Sequence, residues 1–108
     1  MTTASELAAL ACRPGATRLD DAELTARLRA LPGWSRAGDA ITKDFRFPDY
    51  AATIAFVNAV ADVAQRCDHH PNLGVFYDRC TVSWSTHSAG GVTMNDVVCA
   101  AKVEGLRP

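Results

Sequence analysis

Three histidines and one aspartate are the residues of this chain best suited to acid–base chemistry. His69, His70 and His87 are its only histidines, and Asp96 follows the last of them by nine positions. An imidazole can give or take a proton near neutral pH, and a carboxylate can orient it or balance its charge. The grouping predicts a general acid–base site, provided that the fold brings the two histidine segments to one edge.

Each of these residues also has an ordinary structural role. His69 and His70 follow a predicted helix, where imidazoles bond free carbonyls and interact favourably with the helix dipole. His87 can be a polar residue on the solvent face of a strand. Thr93 and Asp96 have the spacing of a capping box at the start of a helix. Because a carboxylate held at a helix start can also orient an imidazole, the two interpretations of Asp96 are compatible.

Metal binding and serine hydrolysis are the competing uses of such residues. Adjacent residues of an extended chain point apart, so His69 and His70 make a poor chelating pair. Zinc sites usually take their ligands in close pairs, and no such pair occurs among the four cysteines, which are Cys12, Cys67, Cys80 and Cys99. We therefore expect no metal and no cofactor, with the cysteines as small buried apolar residues and Cys12 in a loose N-terminal tail. The chain has no Gly-x-Ser-x-Gly elbow, which argues against a hydrolase.

The segment after Pro48 predicts the main helix. Its apolar positions recur at steps of three and four, with one stripe at Tyr50, Ile54, Val57, Ala61 and Ala64, widened by Phe56, Val60 and Val63. Pro71 cannot continue a helix and biases His70 away from the α region. The helix is therefore predicted to end near residues 66–68, directly before the paired histidines.

The remaining elements follow from turn signals and alternation. A short helix capped by Asp20 or Asp21 should stop at Pro32–Gly33, and residues 34–47 predict a hairpin that turns at Gly38–Asp39. Two more strands are predicted near residues 73–78 and 80–86, and a closing helix over residues 93–104. The order α-β-β-α-β-β-α predicts an α+β two-layer sandwich, with a four-stranded antiparallel sheet covered by helices.

Composition restricts the function further. The chain has 108 residues, of which 48% are hydrophobic, so it predicts one domain over residues 19–108 after a weakly structured tail, residues 1–18. A formal net charge of −1 with mixed signs gives no footprint for nucleic acid or an anionic membrane. No stretch approaches the roughly 18 apolar residues of a membrane span. The N-terminus lacks the basic start of a secretory signal, so we expect a cytoplasmic protein.

The histidine segments carry a family pattern. Asp68-His69-His70-Pro71, then Tyr77, then Ser85-Thr86-His87, a Gly-rich loop and Asp96 together resemble the pterin-4a-carbinolamine dehydratases. The resemblance runs from about Trp34 to the closing helix and implies the same order of strands and helices. It implies dehydration of 4a-hydroxytetrahydropterin to quinonoid dihydropterin, in tetrahydrobiopterin-type cofactor recycling, with no metal or cofactor. It also implies a homodimer or homotetramer.

The resemblance assigns roles residue by residue. His69, His70 and His87 would surround the reacting carbon of the substrate, with His69 as the preferred acid. Asp96 would orient one imidazole or balance its charge. The remaining contacts to the pterin would come from Asp68, Ser85, Thr86 and Ser88, with Trp34 in the pocket wall.

Two departures from the family pattern leave alternatives open. Gln65 stands where several relatives carry a glutamate, and a neutral amide cannot act as a base. Leu73 replaces an aromatic residue of some members. One alternative is a non-catalytic dimerisation or partner-binding module, which some members provide to a transcription factor. The other is a dehydratase-like protein for another pterin, such as an intermediate of the molybdopterin pathway.

Overall fold

The computed structural model describes residues 3–106 of the chain. Its helices are α1 (Ala4–Ala8), α2 (Asp21–Leu28), α3 (Tyr50–Cys67) and α4 (Met94–Glu104). Its strands are β1 (Ser35–Ala37), β2 (Ala40–Arg46), β3 (Asn72–Val75) and β4 (Arg79–Trp84), and a 3₁₀ turn spans His87–Ala89.

The four strands form one antiparallel sheet in the order β1-β2-β4-β3. Ile41 pairs with Trp84 and Phe45 pairs with Cys80, and all four side chains are fully buried on the same face. Alternation along β4 points these side chains to the core and the intervening ones away from it. The predicted α+β class and antiparallel sheet are therefore confirmed.

Helix α3 lies where the apolar period placed it, but its buried face is rotated from the predicted stripe. Asp49 caps its start by accepting a hydrogen bond from a backbone amide, and the helix ends at Cys67. The residues it buries are Thr53, Phe56, Val60 and Ala64, whereas Tyr50 is 51% exposed. The predicted stripe did not include Thr53, because Thr53 is polar, yet this residue is buried in the centre of the observed face. Its hydroxyl donates to the carbonyls of Asp49 and Tyr77, which removes the cost of burying it.

The N-terminal segment is more ordered than the sequence indicated. Helix α1 packs on α4, and its Leu7 is only 1% exposed. The Lys102 ammonium donates to the Ala8 carbonyl at 2.6 Å, and the Asn95 side chain bonds both backbone groups of Arg13. The prediction of a weakly structured tail is therefore wrong for this segment, because long-range contacts with α4 hold it in place.

Helix α4 is buried along nearly its whole length, because α1, α3 and β4 all pack on it. Its buried residues are Asp96, Val97, Val98, Cys99, Ala100, Ala101 and Val103. The predicted capping box is present: Thr93 is the N-cap, and the Asp96 carboxylate accepts from the Thr93 backbone amide. Across residues 3–106, no helix is both long enough and apolar enough to cross a bilayer.

Candidate active site

The end of α3 positions His69. Asp68 adopts a left-handed conformation with φ of 49°, which turns the chain out of the helix, and the His69 amide donates to the Ala64 carbonyl at 3.1 Å. The His69 ring stacks on the indole of Trp84 from β4, with centroids 5.6 Å apart and planes within 18°. Backbone and ring contacts together fix the orientation of this imidazole.

Asp96 is fully buried and reaches His69 from the first turn of α4. Its Oδ1 lies 2.5 Å from His69 Nε2. Its Oδ2 accepts from the Thr86 hydroxyl and from the Thr93 backbone amide, both at 2.8 Å. The hydroxyls of Thr86 and Thr93 are also 3.0 Å apart. One carboxylate therefore joins the end of α3, the segment after β4 and the start of α4.

This arrangement satisfies the buried carboxylate of Asp96. A buried carboxylate is costly unless it is paired and hydrogen-bonded, and Asp96 has donors on both oxygens and a place at a helix N-terminus. When His69 is protonated, it forms a short ion pair with Asp96. Since Nε2 faces the carboxylate, Nδ1 is the ring nitrogen that Asp96 leaves available for proton transfer.

A cleft lies beside this network. It has a volume of about 230 Å³ and is lined by Asp39, Ser85, Thr86, His87, Gly90 and Gly91. Backbone hydrogen bonds between Thr86 and Gly91 close the loop that shapes it, and Gly90 has a φ of 75° that a residue with a side chain rarely adopts. Thr86 both lines the cleft and donates to Asp96, so it connects the cleft to His69.

The structure divides the residues predicted for the site, apart from Trp34, into three groups. His69, Asp96 and Thr86 form one hydrogen-bonded network, and Ser85, Thr86 and His87 line the cleft. The exposed side chains of His70, Asp68 and Ser88 lie on the chain segments next to these groups.

Trp34 lies elsewhere. Its indole is 5% exposed, in the core, and its Nε1 donates to Glu104 at the far end of α4 from Asp96. It does not line the cleft, in contrast to the predicted place in the pocket wall.

Sequence reasoning missed three residues of the site. Trp84 was only one position of the strand predicted near residues 80–86, yet its ring supports His69. Within residues 3–106, its buried Nε1 has no hydrogen-bond partner. Asp39 was seen as a turn residue and Thr93 as a cap. The alternation and cap signals identify where such residues lie locally, but they carry no information about which distant side chain each one meets.

Comparison with known proteins identifies the family. The model of the family "Pterin 4 alpha carbinolamine dehydratase" matches residues 17–106. The chain belongs to this family. A relative named "Putative pterin-4-alpha-carbinolamine dehydratase" from Xanthomonas oryzae pv. oryzae is 54% identical over 91 residues, which are 82% of this chain and 77% of that one. A relative of the same name from Stenotrophomonas maltophilia is 53% identical over 82% of this chain and 78% of its own.

Solved structures agree with the fold. The crystal structure of a "transcriptional coactivator/pterin dehydratase" from Brucella melitensis superposes with a TM-score of 0.80 at 37% identity, covering 82% of this chain and 97% of that one. A pterin dehydratase-like RuBisCO assembly factor of the α-carboxysome has a TM-score of 0.56 at 24% identity, which supports the fold alone. In this pterin-4a-carbinolamine dehydratase family member, every residue of the network and the cleft lies inside the matched region, whereas α1 and Cys12 precede it.

Proposed function

We propose that this protein dehydrates 4a-hydroxytetrahydropterin to quinonoid dihydropterin, in the cytoplasmic recycling of a tetrahydrobiopterin-type cofactor. The observation that supports this most directly is the hydrogen-bonded path from the cleft through Thr86 and the buried Asp96 to His69. A buried carboxylate that orients an imidazole and accepts a hydrogen bond from a residue of a polar cleft suits a general acid.

The proposed reaction eliminates water from C4a and N5 of the substrate and moves two protons. The C4a–O bond of the substrate breaks as protonated His69 gives its proton to the departing hydroxyl, which leaves as water. The N5 proton goes to a base, and the electrons of the N5–H bond form the C4a=N5 double bond. His87, in the cleft, is our candidate for that base, with the exposed His70 as the other imidazole near the end of α3.

Asp96 would act at the moment of proton transfer. Its negative charge stabilises the His69 imidazolium before the proton leaves, and its fixed position keeps the ring aimed. Ser85, Thr86, Asp68 and Ser88 would supply polar contacts to the pterin. The elimination of water needs a proton donor and a proton acceptor, which these side chains provide, so the proposed step uses no redox cofactor.

The direct test uses a synthetic 4a-hydroxytetrahydropterin and follows its dehydration in the ultraviolet. We expect the purified chain to accelerate the reaction well above its rate in the same buffer, with saturation at high substrate. A decay rate that equals the buffer rate at equimolar protein would contradict the proposal. The same assay with other 4a-hydroxylated pterins tests whether the substrate comes from another pterin pathway.

The alternative of a partner-binding module receives no support from the closing helix. Exposed apolar residues on α4 would favour it, but the apolar residues of α4 are buried except for Met94, which is half-buried. The name of the Brucella protein includes "transcriptional coactivator", and that describes the Brucella protein. Dehydration is therefore the function that the geometry of this chain supports best.

We also propose a homodimer or homotetramer, formed through the β3 edge. Within residues 3–106, β3 pairs only with β4, and the chain there exposes Val75, Phe76 and Tyr77 by 40, 47 and 66%. An open sheet edge with adjacent apolar side chains is a surface that another strand can cover. Sedimentation at micromolar concentration should show a species of two or four chains, and a species of 11.6 kDa alone would contradict this.

A further inference from the structure

Three thiols that are far apart in the sequence meet in the structure. The Sγ atoms of Cys12, Cys67 and Cys99 all lie within 4.8 Å of one another, and those of Cys12 and Cys99 are 3.4 Å apart. The sequence indicated a loose tail for Cys12 and small, buried, apolar roles for the other two. The loose tail was wrong, because α1 packs on α4 and the Asn95 side chain holds the segment that follows α1. Cys99 is buried as expected, and Cys67 is half-buried.

Each thiol is held by a defined element. Cys67 is the last residue of α3, and Cys99 is buried in α4. Cys12 is next to Arg13, whose backbone bonds the side chain of Asn95, and Cys12 Sγ lies 3.8 Å from the Asn95 carbonyl oxygen. The cluster is therefore built on α3, α4 and the segment around Arg13, which hydrogen bonds to Asn95 hold in place.

We propose that Cys12, Cys67 and Cys99 bind a thiophilic divalent metal ion, Zn²⁺, through their three sulfur atoms. A zinc ion about 2.3 Å from each sulfur requires sulfur–sulfur separations of about 3.8–4.0 Å. The observed separations, from 3.4 Å to at most 4.8 Å, bracket that value. Shifts of less than about 1 Å in the side chains would complete the coordination triangle.

A cavity supplies the fourth coordination position. Its volume is about 570 Å³, and Cys12 and Cys67 lie in its wall together with Arg66, Lys102 and small or apolar residues. Its wall contains no histidine or carboxylate, so the fourth ligand would be water or a small anion. Three thiolates and Zn²⁺ carry a net charge of −1. Lys102 can balance that charge, since the other cation of the wall, Arg66, is already paired with Asp62. Cu⁺ would leave a charge of −2, so the charges favour the divalent ion.

The position of the thiols suits a bound metal. Cys99 is buried, and Cys12 and Cys67 are half-buried. Zinc binds the thiolate form, so its binding would release the thiol protons. A bound cation at 2.3 Å is the interaction that can hold several thiolates in one buried place. The metal would tie the N-terminal segment to α3 and α4.

The test uses the full chain, reduced and stripped with a chelator. We expect one equivalent of Zn²⁺ to bind in competition with a chromophoric chelator and to raise the melting temperature. Co²⁺ in the same site should show thiolate-to-metal charge transfer and the visible bands of a tetrahedral complex. Cys12→Ser and Cys67→Ser, at half-buried positions, should fold and weaken binding by about a hundredfold or more.

Cys80→Ala is the matched control, because Cys80 is a buried cysteine of β4 outside the cluster. It should keep both the stoichiometry and the Co²⁺ spectrum. The proposal is overturned if the reduced chain binds no stoichiometric Zn²⁺ or takes up Cu⁺ alone. Unchanged binding in Cys12→Ser and Cys67→Ser, in chains shown to be folded by circular dichroism, would overturn it equally. None of these results bears on dehydration, which is measured separately.

Discussion

The histidine–aspartate network and the thiol cluster are built on the same two helices, α3 and α4. The network holds a charged carboxylate, whereas the cluster holds thiols. His69 and Cys67 lie two residues apart at the end of α3, and Asp96 and Cys99 lie one turn apart on α4. Asp96 is in the first turn, where free backbone amides and the helix dipole stabilise a negative charge. Cys99 is farther along the helix, where the amides are already bonded and burial favours the neutral thiol. Position along one helix thus decides which anion the fold can hold without a metal.

The network and the cluster also differ in which part of the chain supplies their residues. The network closes entirely within the matched family region, with Thr86 and Thr93 as the donors to Asp96. The cluster needs Cys12, which precedes that region. We therefore expect the network to tolerate loss of the N-terminal segment better than the cluster does.

The largest effect should follow from His69→Ala. Removing the proposed acid should lower turnover by about 10²–10⁴-fold, while Zn²⁺ binding at the cluster stays unchanged. Turnover is measured in the ultraviolet assay and binding by competition. His70→Ala, which removes an exposed imidazole outside the network, should cause a smaller loss. A joint loss of turnover and metal binding in His69→Ala would mean that the end of α3 had rearranged, and the two regions would not be independent.

Asp96→Asn should have the next largest effect. The amide cannot accept at both oxygens or balance the imidazolium, so turnover should fall about tenfold or more. The free energy of unfolding should fall by about 1–3 kcal/mol, because buried donors lose an acceptor. Asp62→Asn, at an exposed pair with Arg66, is the control and should change little. Wild-type turnover with a lowered melting temperature would reduce Asp96 to a helix cap.

In the thiol cluster, we expect slow alkylation of Cys12 when the chain is free of metal. Because burial raises its pKa to about 11, little thiolate is present at pH 8, and iodoacetamide should modify it about tenfold or more slowly than free cysteine. The rate should still be rising at pH 9.5, since the thiolate fraction keeps growing until the pH reaches the pKa. Peptide mass spectrometry assigns the site. A plateau between pH 8 and 9 would contradict the raised pKa.

The smallest effect should come from Trp34→Phe, at the end of α4 that is far from Asp96. Phenylalanine keeps the ring in the core but loses the Nε1 hydrogen bond to Glu104, which also binds Lys43. The free energy of unfolding should fall by about 0.5–1.5 kcal/mol, measured by urea denaturation, with turnover unchanged. Reduced turnover at unchanged stability would return Trp34 to the pterin pocket.

Sequence signals that act over a few residues, such as turns, caps and periodicity, were sufficient to predict much of the secondary structure. The hairpin over residues 34–47, the start and end of α3, and the capping box of Thr93 and Asp96 are each specified by neighbours in the chain. Those local signals predicted the α+β class and the order of the elements from α2 to α4. The family pattern was recognised from Asp68-His69-His70-Pro71 and Ser85-Thr86-His87, together with Tyr77, a Gly-rich loop and Asp96.

Only the tertiary structure decided which distant groups meet. The choice of Thr53 over Tyr50 for the buried face of α3 depends on a carbonyl of Tyr77, which no helical period reveals. The burial of Leu7 and the meeting of Cys12 with Cys99 depend on how α1 packs on α4. Periodicity and capping arise from interactions between near neighbours, whereas these contacts join residues that only three-dimensional packing brings together.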